Sequence, residues 1–391
     1  MSNRDKTDLM RLNGARADSL LAEPDHTMSP LVASFAGNAA NSAKAAVRRS
    51  RARPELGKLL RALAGKRNLL ISTHRYPDPD ALASAWALSK LLGARLPDAK
   101  ITVSVKGSIG AGINESFVKH SNLKLEPWSD EELPNFDAII LTDVQPHLSY
   151  SPLPDDVEPL AVIDHHRTGH KPTSRFSDIR KDVGASCSII FSYFMEAQEP
   201  ISPDLAATML YAIESDLAGA AGQPGDLDNL ALSSLTLLAN PRKLYQMRYA
   251  PLPQIYYSCC YTGLRNAVSY DNAIVSHVDE IDTPEKPAVI ADFLVRYEPV
   301  QWAMVTSLYE NRLVISIRTR GDSVMKAAEM IQRLVRKIGE GGGHAAKAGG
   351  FLPLETGDDA EIDRKRKLLR RRFLRALRIK STPGKRLVKT S

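Results

Sequence analysis

The chain has 391 residues, a length that suits two or three domains of ordinary size. Hydrophobic residues make up 43% and charged residues 25% of it, which excludes a collagen-like, coiled-coil or wholly disordered chain. The net charge is +7, but residues 361–391 hold thirteen Lys or Arg and two acids, so the other 360 residues sum to −4. A mildly acidic body with a basic appendage is therefore expected, and the appendage should attract polyanions such as nucleic acid.

The sequence favours a soluble protein of the cytoplasm. No apolar stretch approaches the roughly 18 residues that cross a bilayer, and the first residues lack the apolar segment of a signal peptide. The three cysteines, Cys187, Cys259 and Cys260, have no C-x-x-C spacing. An odd number of cysteines without a metal-binding pattern suits a reducing compartment.

The first half of the chain predicts an α/β domain with a parallel sheet. Residues 1–52 lack hydrophobic periodicity and predict a mobile arm, and residues 53–222 predict the main domain. Short apolar runs in that domain predict buried strands at 68–73, 100–105, 136–142 and 159–163. Helical patterns at 80–94, 184–197 and 202–215 supply crossovers, the last with Ser202 as its cap and Pro203 at its first position.

The second half predicts a smaller α/β domain. Residues 223–268 predict a helical linker, residues 269–358 the second domain and residues 359–391 a basic tail. The second domain reads as a strand from Asn272, a helix begun by Pro284, a hairpin and a further helix. The tail spaces its leucines as an amphipathic helix does, so it is either an RNA- or membrane-binding helix or a solvated tail.

Acids and imidazoles follow the predicted strands. His74, Asp78 and Asp80 lie near the end of strand one, Asp143 at the end of strand three, and Asp164, His165 and His166 at the end of strand four. Asp216 lies at the end of the helix begun at Pro203. In an open α/β sheet, ligands bind outside the carboxyl ends of the strands, so these side chains should converge on one crevice. Taken singly, each has a structural alternative, since a lone Asp at a strand end is usually a turn or cap residue.

Crowded carboxylates repel one another unless cations lie between them. Carboxylate oxygens mixed with a few histidines suit manganese or magnesium, whereas structural zinc sites more often include cysteine. Two metals that share a carboxylate are a common arrangement for phosphoryl chemistry, and Asp143, alone on the middle strand end, is the expected bridge.

Four motifs that contain these acids and histidines, and a fifth that is rich in glycine, resemble those of the DHH phosphoesterase superfamily. They read HRYPDPDALAS at 74–84, LTD at 141–143, VIDHH at 162–166, AIESDLAG at 212–219 and GGGHAAKAGGF at 341–351. The last resembles the glycine-rich motif of the DHH-associated C-terminal domain, and the likeness is strongest to bacterial oligoribonucleases and phosphoadenosine-phosphate phosphatases. Two departures stand out, because Ser215 and Leu217 replace the usual threonines around Asp216, and Lys347 stands where alanine is common.

The resemblance implies two divalent cations, manganese or magnesium. One would be held by His74 and Asp78, the other by Asp80, His165 and Asp216, with Asp143 between them. His166 and Asp164 would be catalytic, with His166 facing the phosphate. Substrate would be bound by Arg318, Gly342, Gly343 and His344. Arg318 could instead form a surface ion pair, and the glycines could instead cap a helix.

The expected reaction is hydrolysis of short oligoribonucleotides or phosphoadenosine phosphate. Alternatives are a phosphodiesterase for linear or cyclic dinucleotides, an exopolyphosphatase or pyrophosphatase, and a nucleic-acid-binding protein with an inactive site. The expected partners are a short single-stranded RNA or nucleotide substrate, RNA at the basic tail, and a second copy of the chain.

Overall fold

The computed structural model describes residues 55–391 apart from 107–112, 127, 149, 167, 169–171, 218–223, 282, 321–322, 324, 344, 381–382 and 389–391. All described residues belong to one compact unit. The expected N-terminal arm, 1–52, lies outside the described residues.

The first sheet has five parallel strands: β1 (Asn68–Ser72), β2 (Lys100–Val103), β3 (Ala138–Thr142), β4 (Ala161–Asp164) and β5 (Phe176–Ile179). Their order is β2-β1-β3-β4-β5, with Leu70 opposite Ile139 and Thr142 opposite Ile163. Every residue of β3 and β4 is buried, which explains their continuous apolar sequence. The strand order reverses between β1 and β3, and such a point forms a crevice at the carboxyl ends of the strands.

Helices cover this sheet at α1 (Glu55–Ala62), α2 (Pro79–Arg95), α3 (Ile113–Ser121), α4 (Ser186–Ala197) and α5 (Pro203–Leu217). A short 3₁₀ helix spans Asp130–Asn135. Asp78 caps α2 by accepting a hydrogen bond from the Ala81 amide at 3.0 Å. Ser202 accepts one from the Leu205 amide at 3.3 Å, as expected of a cap at the start of α5.

Three helices follow within the expected linker: α6 (Asp226–Leu238), α7 (Pro241–Arg248) and α8 (Gln254–Arg265). Ion pairs fix α7 alongside α5 at both ends. Near the start of the two helices, Lys243 Nζ lies 3.1 Å from Asp204 Oδ2, and near their ends Arg248 pairs with Glu214. The two helices therefore run in the same direction.

The second sheet has seven strands: β6 (Val268–Tyr270), β7 (Ala273–Glu280), β8 (Trp302–Tyr309), β9 (Arg312–Thr319), β10 (Glu340–Gly343), β11 (Lys347–Pro353) and β12 (Lys385–Arg386). Their order is β10-β11-β9-β8-β7-β6-β12, and only the β7–β8 pair is parallel. Helices α9 (Lys286–Leu294) and α10 (Ala327–Val335) pack against separate clusters of its buried side chains. The two sheets confirm the predicted two-domain α/β class.

The segment expected as a basic tail contributes a helix to this second core. Helix α11 (Asp359–Ala376) buries Leu369, Phe373 and Leu374, with at most 2% of each exposed. The Phe373 ring lies edge-on to Trp302 of β8, with centroids 6.4 Å apart. The amphipathic spacing seen in the sequence therefore faces the protein's own sheet, since burying these side chains removes apolar area from water.

Two further features describe the chain as a whole. None of the helices among the described residues combines the length and the apolar character that spanning a bilayer requires. Of the three cysteines, Cys187 and Cys259 are buried and Cys260 is half-buried.

Candidate metal centre

The Asp143 carboxylate lies at the centre of a cluster at the carboxyl end of the first sheet. Asp143 directly follows β3, its φ is 59°, and 3% of it is exposed. Its Oδ2 lies 3.7 Å from His74 Nε2, and its Oδ1 lies 3.4 Å from His165 Nε2 and 3.6 Å from His166 Nδ1. Three imidazoles from the ends of β1 and β4 thus face one buried carboxylate.

The described residues include three groups whose donor atoms all lie within 4.8 Å of one another and can hold a metal ion. They are His74, Asp78 and Asp143; Asp80, His165 and Asp216; and Asp143, His165 and His166. Every residue assigned to metal by the sequence falls in one of these groups. Asp143 belongs to two of them, and His165 also belongs to two.

The N-terminus of α4 supports two of the carboxylates. Asp80 accepts hydrogen bonds from the Ser186 and Cys187 amides at 2.7 and 2.9 Å. The Ser186 hydroxyl donates to Asp143 Oδ1 at 2.8 Å. The partial positive charge of a helix N-terminus stabilises such carboxylates, so α4 helps to hold negative charge in this crevice. The sequence analysis did not single out Ser186.

Asp164 is fully buried and its carboxylate organises the residues that follow it. Asp164 Oδ1 accepts from the His165 amide at 2.8 Å and lies 2.7 Å from His166 Nδ1. Gln145 Nε2 donates to Asp164 Oδ2 at 2.7 Å and to the His166 carbonyl at 3.1 Å. Asp164 therefore orients His166. Gln145 was not predicted from the sequence, although it follows Asp143 by only two positions.

A second loop fixes the ring of His165. Its Nδ1 lies 3.3 Å from the Val183 carbonyl oxygen, which leaves Nε2 to face Asp143 and Asp216. The fully buried Asp228 of α6 accepts from the Gly184 amide at 2.7 Å and so holds this loop. Asp228 was also missed, because nothing in its local sequence separates it from an ordinary helix-cap acid.

Charge and burial shift the pKa values in the cluster in opposite directions. Burial and the charge of Asp143 raise the pKa of Asp80 well above its usual value, and burial with the charge of Asp78 raises that of Asp216 to about 6. Burial lowers the pKa of the His165 imidazole, but its hydrogen bond with Asp143 more than offsets this, so the pKa lies well above the usual value. Burial raises the pKa of Asp143, but its hydrogen bonds with His165 and His74 outweigh this effect. The pKa of Asp143 therefore lies well below its usual range.

The donor set fits divalent cations that prefer oxygen. Four carboxylates and two imidazoles make up the two groups built on His74 and Asp80, and neither contains a cysteine. Hard oxygen ligands with a minority of imidazole suit manganese or magnesium. The raised pKa values of Asp80 and Asp216 indicate that their ionised forms lack sufficient positive charge nearby, which bound cations would supply.

Three of the four residues assigned to substrate lie on the second sheet. Arg318 of β9 donates from Nε and Nη2 to Asp292 of α9 at 2.5 and 3.2 Å, so it is ion-paired. Gly342 and Gly343 are exposed residues of β10, and His344 lies outside the described residues. The alternative in which these glycines cap a helix is wrong, because α10 ends at Val335. Lys347 Nζ reaches the first domain, where it donates to the carbonyl of Ser215 at 3.2 Å.

The first domain is similar to a known protein family. Residues 68–213 match the DHH family, N-terminal domain. That match covers β1 to most of α5 and includes His74, Asp143 and the Asp164-His165-His166 triplet.

Two curated relatives and one solved structure are similar to the chain. An uncharacterized protein of Methanocaldococcus jannaschii, MJ1633, is 28% identical over 74% of this chain and 59% of its own length. A probable manganese-dependent inorganic pyrophosphatase of Bacillus licheniformis is 32% identical over 38% of this chain and 47% of its own length. The chain thus spans about half the length of these relatives. An exopolyphosphatase-related protein from Bacteroides fragilis shares the fold, with a TM-score of 0.62, 16% identity and coverage of 83% of this chain and 97% of that chain.

Proposed function

Because residues 68–213 match the DHH family, N-terminal domain, we propose that the protein is a metal-dependent phosphoesterase acting on short oligoribonucleotides or phosphoadenosine phosphate. The observation that carries the proposal is the place of Asp143 between two groups of candidate ligands: it belongs to the group of His74 and Asp78, and its Oδ1 lies 3.4 Å from Nε2 of His165, a member of the group of Asp80 and Asp216. A carboxylate placed in this way suits two cations about 3.5–4 Å apart, the arrangement used for in-line displacement at phosphorus.

The proposed cofactor is a pair of divalent cations, manganese by preference, because similar proteins are described as manganese-dependent pyrophosphatases. His74, Asp78 and Asp143 would hold one cation, and Asp80, His165 and Asp216, with Asp143, the other. When bound, the cations would activate a water molecule near neutral pH and polarise the phosphoryl oxygens.

In this proposal His166 binds the phosphate. Asp164 accepts from Nδ1 of its ring, so Nε2 can face a substrate. Burial lowers the pKa of His166, but the hydrogen bond with Asp164 and the charge of Asp143 raise it above its usual value overall. A protonated imidazole can donate from Nε2 to a phosphoryl oxygen and stabilise the negative charge that develops there.

The second domain would bind the nucleotide. Arg318 carries a planar guanidinium suited to two hydrogen bonds with a phosphate. Its present partner, Asp292, has half of its side chain exposed, so an incoming phosphate could compete for the guanidinium. Exposed backbone at Gly342 and Gly343 would lie close to the same nucleotide, because no Cβ intervenes.

One alternative substrate has a specific observation in its favour. Several similar proteins are described as inorganic pyrophosphatases, and their similarity covers 37–44% of this chain. A pyrophosphatase or polyphosphatase would use the same metal groups without needing Arg318 or the glycine strand. Activity on pyrophosphate in an Arg318→Ala variant would therefore favour that alternative.

The test is manganese-dependent hydrolysis of a 5′-phosphorylated RNA dinucleotide. Phosphoadenosine phosphate, a cyclic dinucleotide, pyrophosphate and polyphosphate are assayed in parallel. Release of mononucleotides that is lost in Asp143→Asn and kept in Asp98→Asn, a change at an exposed acid, would support the proposal. Turnover of pyrophosphate or polyphosphate alone would replace it with the alternative, and no turnover of any substrate would indicate a nucleic-acid-binding protein.

The proposal also covers partner and compartment. Helix α11 exposes Arg370, Arg371 and Arg375, and this charge suits the backbone of RNA. The proposed compartment is the cytoplasm, because an odd number of cysteines without C-x-x-C spacing suits a reducing environment. A homodimer stays a prediction that molecular mass in solution can test.

A further inference from the structure

The linker helices α7 and α8 differ in composition from the rest of the chain. Residues 241–265 contain five of its 12 tyrosines and four Lys or Arg, but no Asp or Glu. Four of the tyrosines are more than 60% exposed: Tyr245, Tyr249, Tyr257 and Tyr261. Large exposed aromatic side chains grouped in this way usually mark a contact surface.

The tyrosines of α7 are arranged as a stacking surface. Tyr245 and Tyr249 are one helical turn apart, and their rings lie 4.8 Å apart at a tilt of 36°. Tyr257 and Tyr261 have the same spacing on α8. Residues three and four positions apart share a helix face, so each pair presents two neighbouring rings to solvent.

A polar cavity of about 190 Å³ adjoins the tyrosines of α7. It is lined by α7, by residues near the start of α5 and by the end of α3, from which Lys119 and His120 contribute. Arg242 and Gln246 of α7 line it, and they continue the face of Tyr245 and Tyr249 because the four lie at positions i, i+3, i+4 and i+7. Its one carboxylate, Asp204, is held by Asn240 and Lys243. The remaining charge of the cavity is positive.

Helix α7 itself runs along α5 toward the metal centre. Lys243 pairs with Asp204 at the start of α5, and Arg248 pairs with Glu214 two residues before Asp216. Twelve residues of helix separate Asp204 from Asp216, a distance of about 18 Å. A stacked single strand advances about 3.4 Å per nucleotide, so roughly five nucleotides would span it.

We propose that Arg242, Tyr245, Gln246 and Tyr249, with Lys119 and His120, form a binding track for a single-stranded oligonucleotide of about five or more nucleotides. The cavity takes backbone phosphate, and the tyrosine rings stack on bases, a combination typical of sequence-tolerant single-strand binding. A second copy of the chain fits less well, because a two-fold contact would place the same positive, acid-free face against itself. This inference adds a substrate length to the proposed function, and the assignment of that length rests on the proposed function.

The first test measures binding without turnover. A fluorescein-labelled decauridylate is titrated in EDTA with the intact chain and with a Tyr245→Ser, Tyr249→Ser double variant, and anisotropy gives the dissociation constant. Loss of at least about fivefold in affinity is expected, because each base stacked on an aromatic ring adds appreciably to binding. Tyr297→Ser, at an exposed tyrosine outside these helices, is the control. Equal affinity in all three proteins would overturn the track.

The second test measures turnover against length. We expect the double variant to raise KM for 5′-phosphorylated octanucleotides about fivefold or more and to leave KM for dinucleotides unchanged. Octanucleotide binding without hydrolysis of any length would keep the track and reject the proposed function. Hydrolysis of dinucleotides, with octanucleotide KM unaffected by the variant, would reject the track alone. A concentration-dependent dimer that the variant abolishes would also overturn the track, in favour of self-association.

Discussion

The Nζ atom of Lys347 lies 3.1 Å from the backbone carbonyl oxygen of Asp216 and 3.9 Å from its Oδ1. Lys347 begins β11 in the second sheet, whereas Asp216 lies in the last turn of α5 in the first domain. A cation at the C-terminus of a helix interacts favourably with the carbonyl groups exposed there. One side chain therefore connects the glycine-rich hairpin to a residue of the candidate metal centre.

Replacing Lys347 with Met should weaken this connection and leave both cores intact. The hydrogen bonds of a charged group to carbonyls are worth about 1.5–3 kcal/mol, and partial exposure of Lys347 places the expected loss near the lower value. We expect a severalfold higher KM for the dinucleotide with unchanged far-ultraviolet circular dichroism. Lys380→Met, at an exposed lysine, should leave KM unchanged. Equal KM values in both variants would contradict a functional connection.

The stability of the metal-free protein should fall as pH rises from 5 to 8. The pKa values of Asp80, Asp216, His74, His165 and His166 are raised in the folded state, so folding favours their protonated forms. Their contribution to stability is complete below the pKa values that these groups have in the unfolded chain, and it is lost as pH rises through their pKa values in the folded protein. For Asp216 this loss occurs between about pH 4 and pH 6. Asp143 and Asp164 have lowered pKa values and lose their contribution only below about 4.

Thermal unfolding in EDTA at several pH values measures this effect. Asp216→Asn should flatten the decrease between pH 5 and 7. Excess Mn²⁺ should raise Tm, and more strongly at pH 8 than at pH 5, because metal ligands must be deprotonated. A Tm in EDTA that climbs steadily from pH 5 to 8 would contradict the assignment.

Gly184 should not tolerate a methyl group. A Cβ added there would lie 2.4 Å from Leu217 Cδ2 and 3.2 Å from Asp228 Oδ2, so the Leu217 side chain and the Asp228 carboxylate that holds the loop would have to shift. We expect Gly184→Ala to destabilise the protein by about 1–3 kcal/mol and to weaken manganese binding about tenfold or more. Chemical denaturation and calorimetric metal titration measure the two effects.

Gly93→Ala is the matched control for this substitution. A Cβ at Gly93 meets nothing within 4 Å, and the residue lies inside α2. Alanine should therefore stabilise the helix by about 0.5–1 kcal/mol without changing metal affinity. Equal effects of the two substitutions would contradict the role of crowding at Gly184.

Substitutions at Arg318 and Asp292 should change KM in opposite directions. If a substrate phosphate replaces Asp292 as the partner of Arg318, then Asp292→Asn removes a competitor and should lower KM severalfold. Arg318→Lys cannot reproduce the planar pair of hydrogen bonds and should raise KM about tenfold. Steady-state kinetics with phosphoadenosine phosphate separates this role from that of a surface ion pair, for which neither substitution would alter KM. The exposed pair Arg95 and Glu199 provides a control.

The exposed arginines of α11 should contribute to the salt dependence of RNA binding. Changing Arg370, Arg371 and Arg375 to Gln should reduce the slope of log K against log salt by about two, since each phosphate contact to a single strand contributes about 0.7. The same change at three exposed cations of the first domain should matter less: Arg61, Lys100 and Arg175. An unaltered slope after the α11 changes would assign this helix a structural role alone.

Much of the fold follows from local sequence. The runs that became β1, β3 and β4 are mostly apolar because both faces of a parallel sheet are covered, and Pro203 with Ser202 marks the start of α5. The convergence of His74, Asp143 and His165 follows from the same pattern, since parallel strands end at one edge.

Other features depend on contacts between residues distant in sequence. Four-residue β5 alternates buried and exposed positions and carries too little apolar sequence to be recognised as a strand. Asp228 acts on a loop 44 residues away through the Gly184 amide. The partner of Arg318 and the burial of α11 likewise depend on how separate helices meet the second sheet. Such contacts leave no periodic signal in the sequence.

The two edges of the second sheet have a consequence for how the protein behaves at high concentration. One edge is β12, only Lys385 and Arg386, and the other is β10, which is four residues long with three glycines. Short, charged or glycine-rich edges offer few unpaired backbone groups on which another chain could add a strand. A seven-stranded sheet would otherwise be a template for aggregation. We therefore expect concentrated samples to resist fibril formation, and removal of residues 384–391 to uncover β6 and promote it.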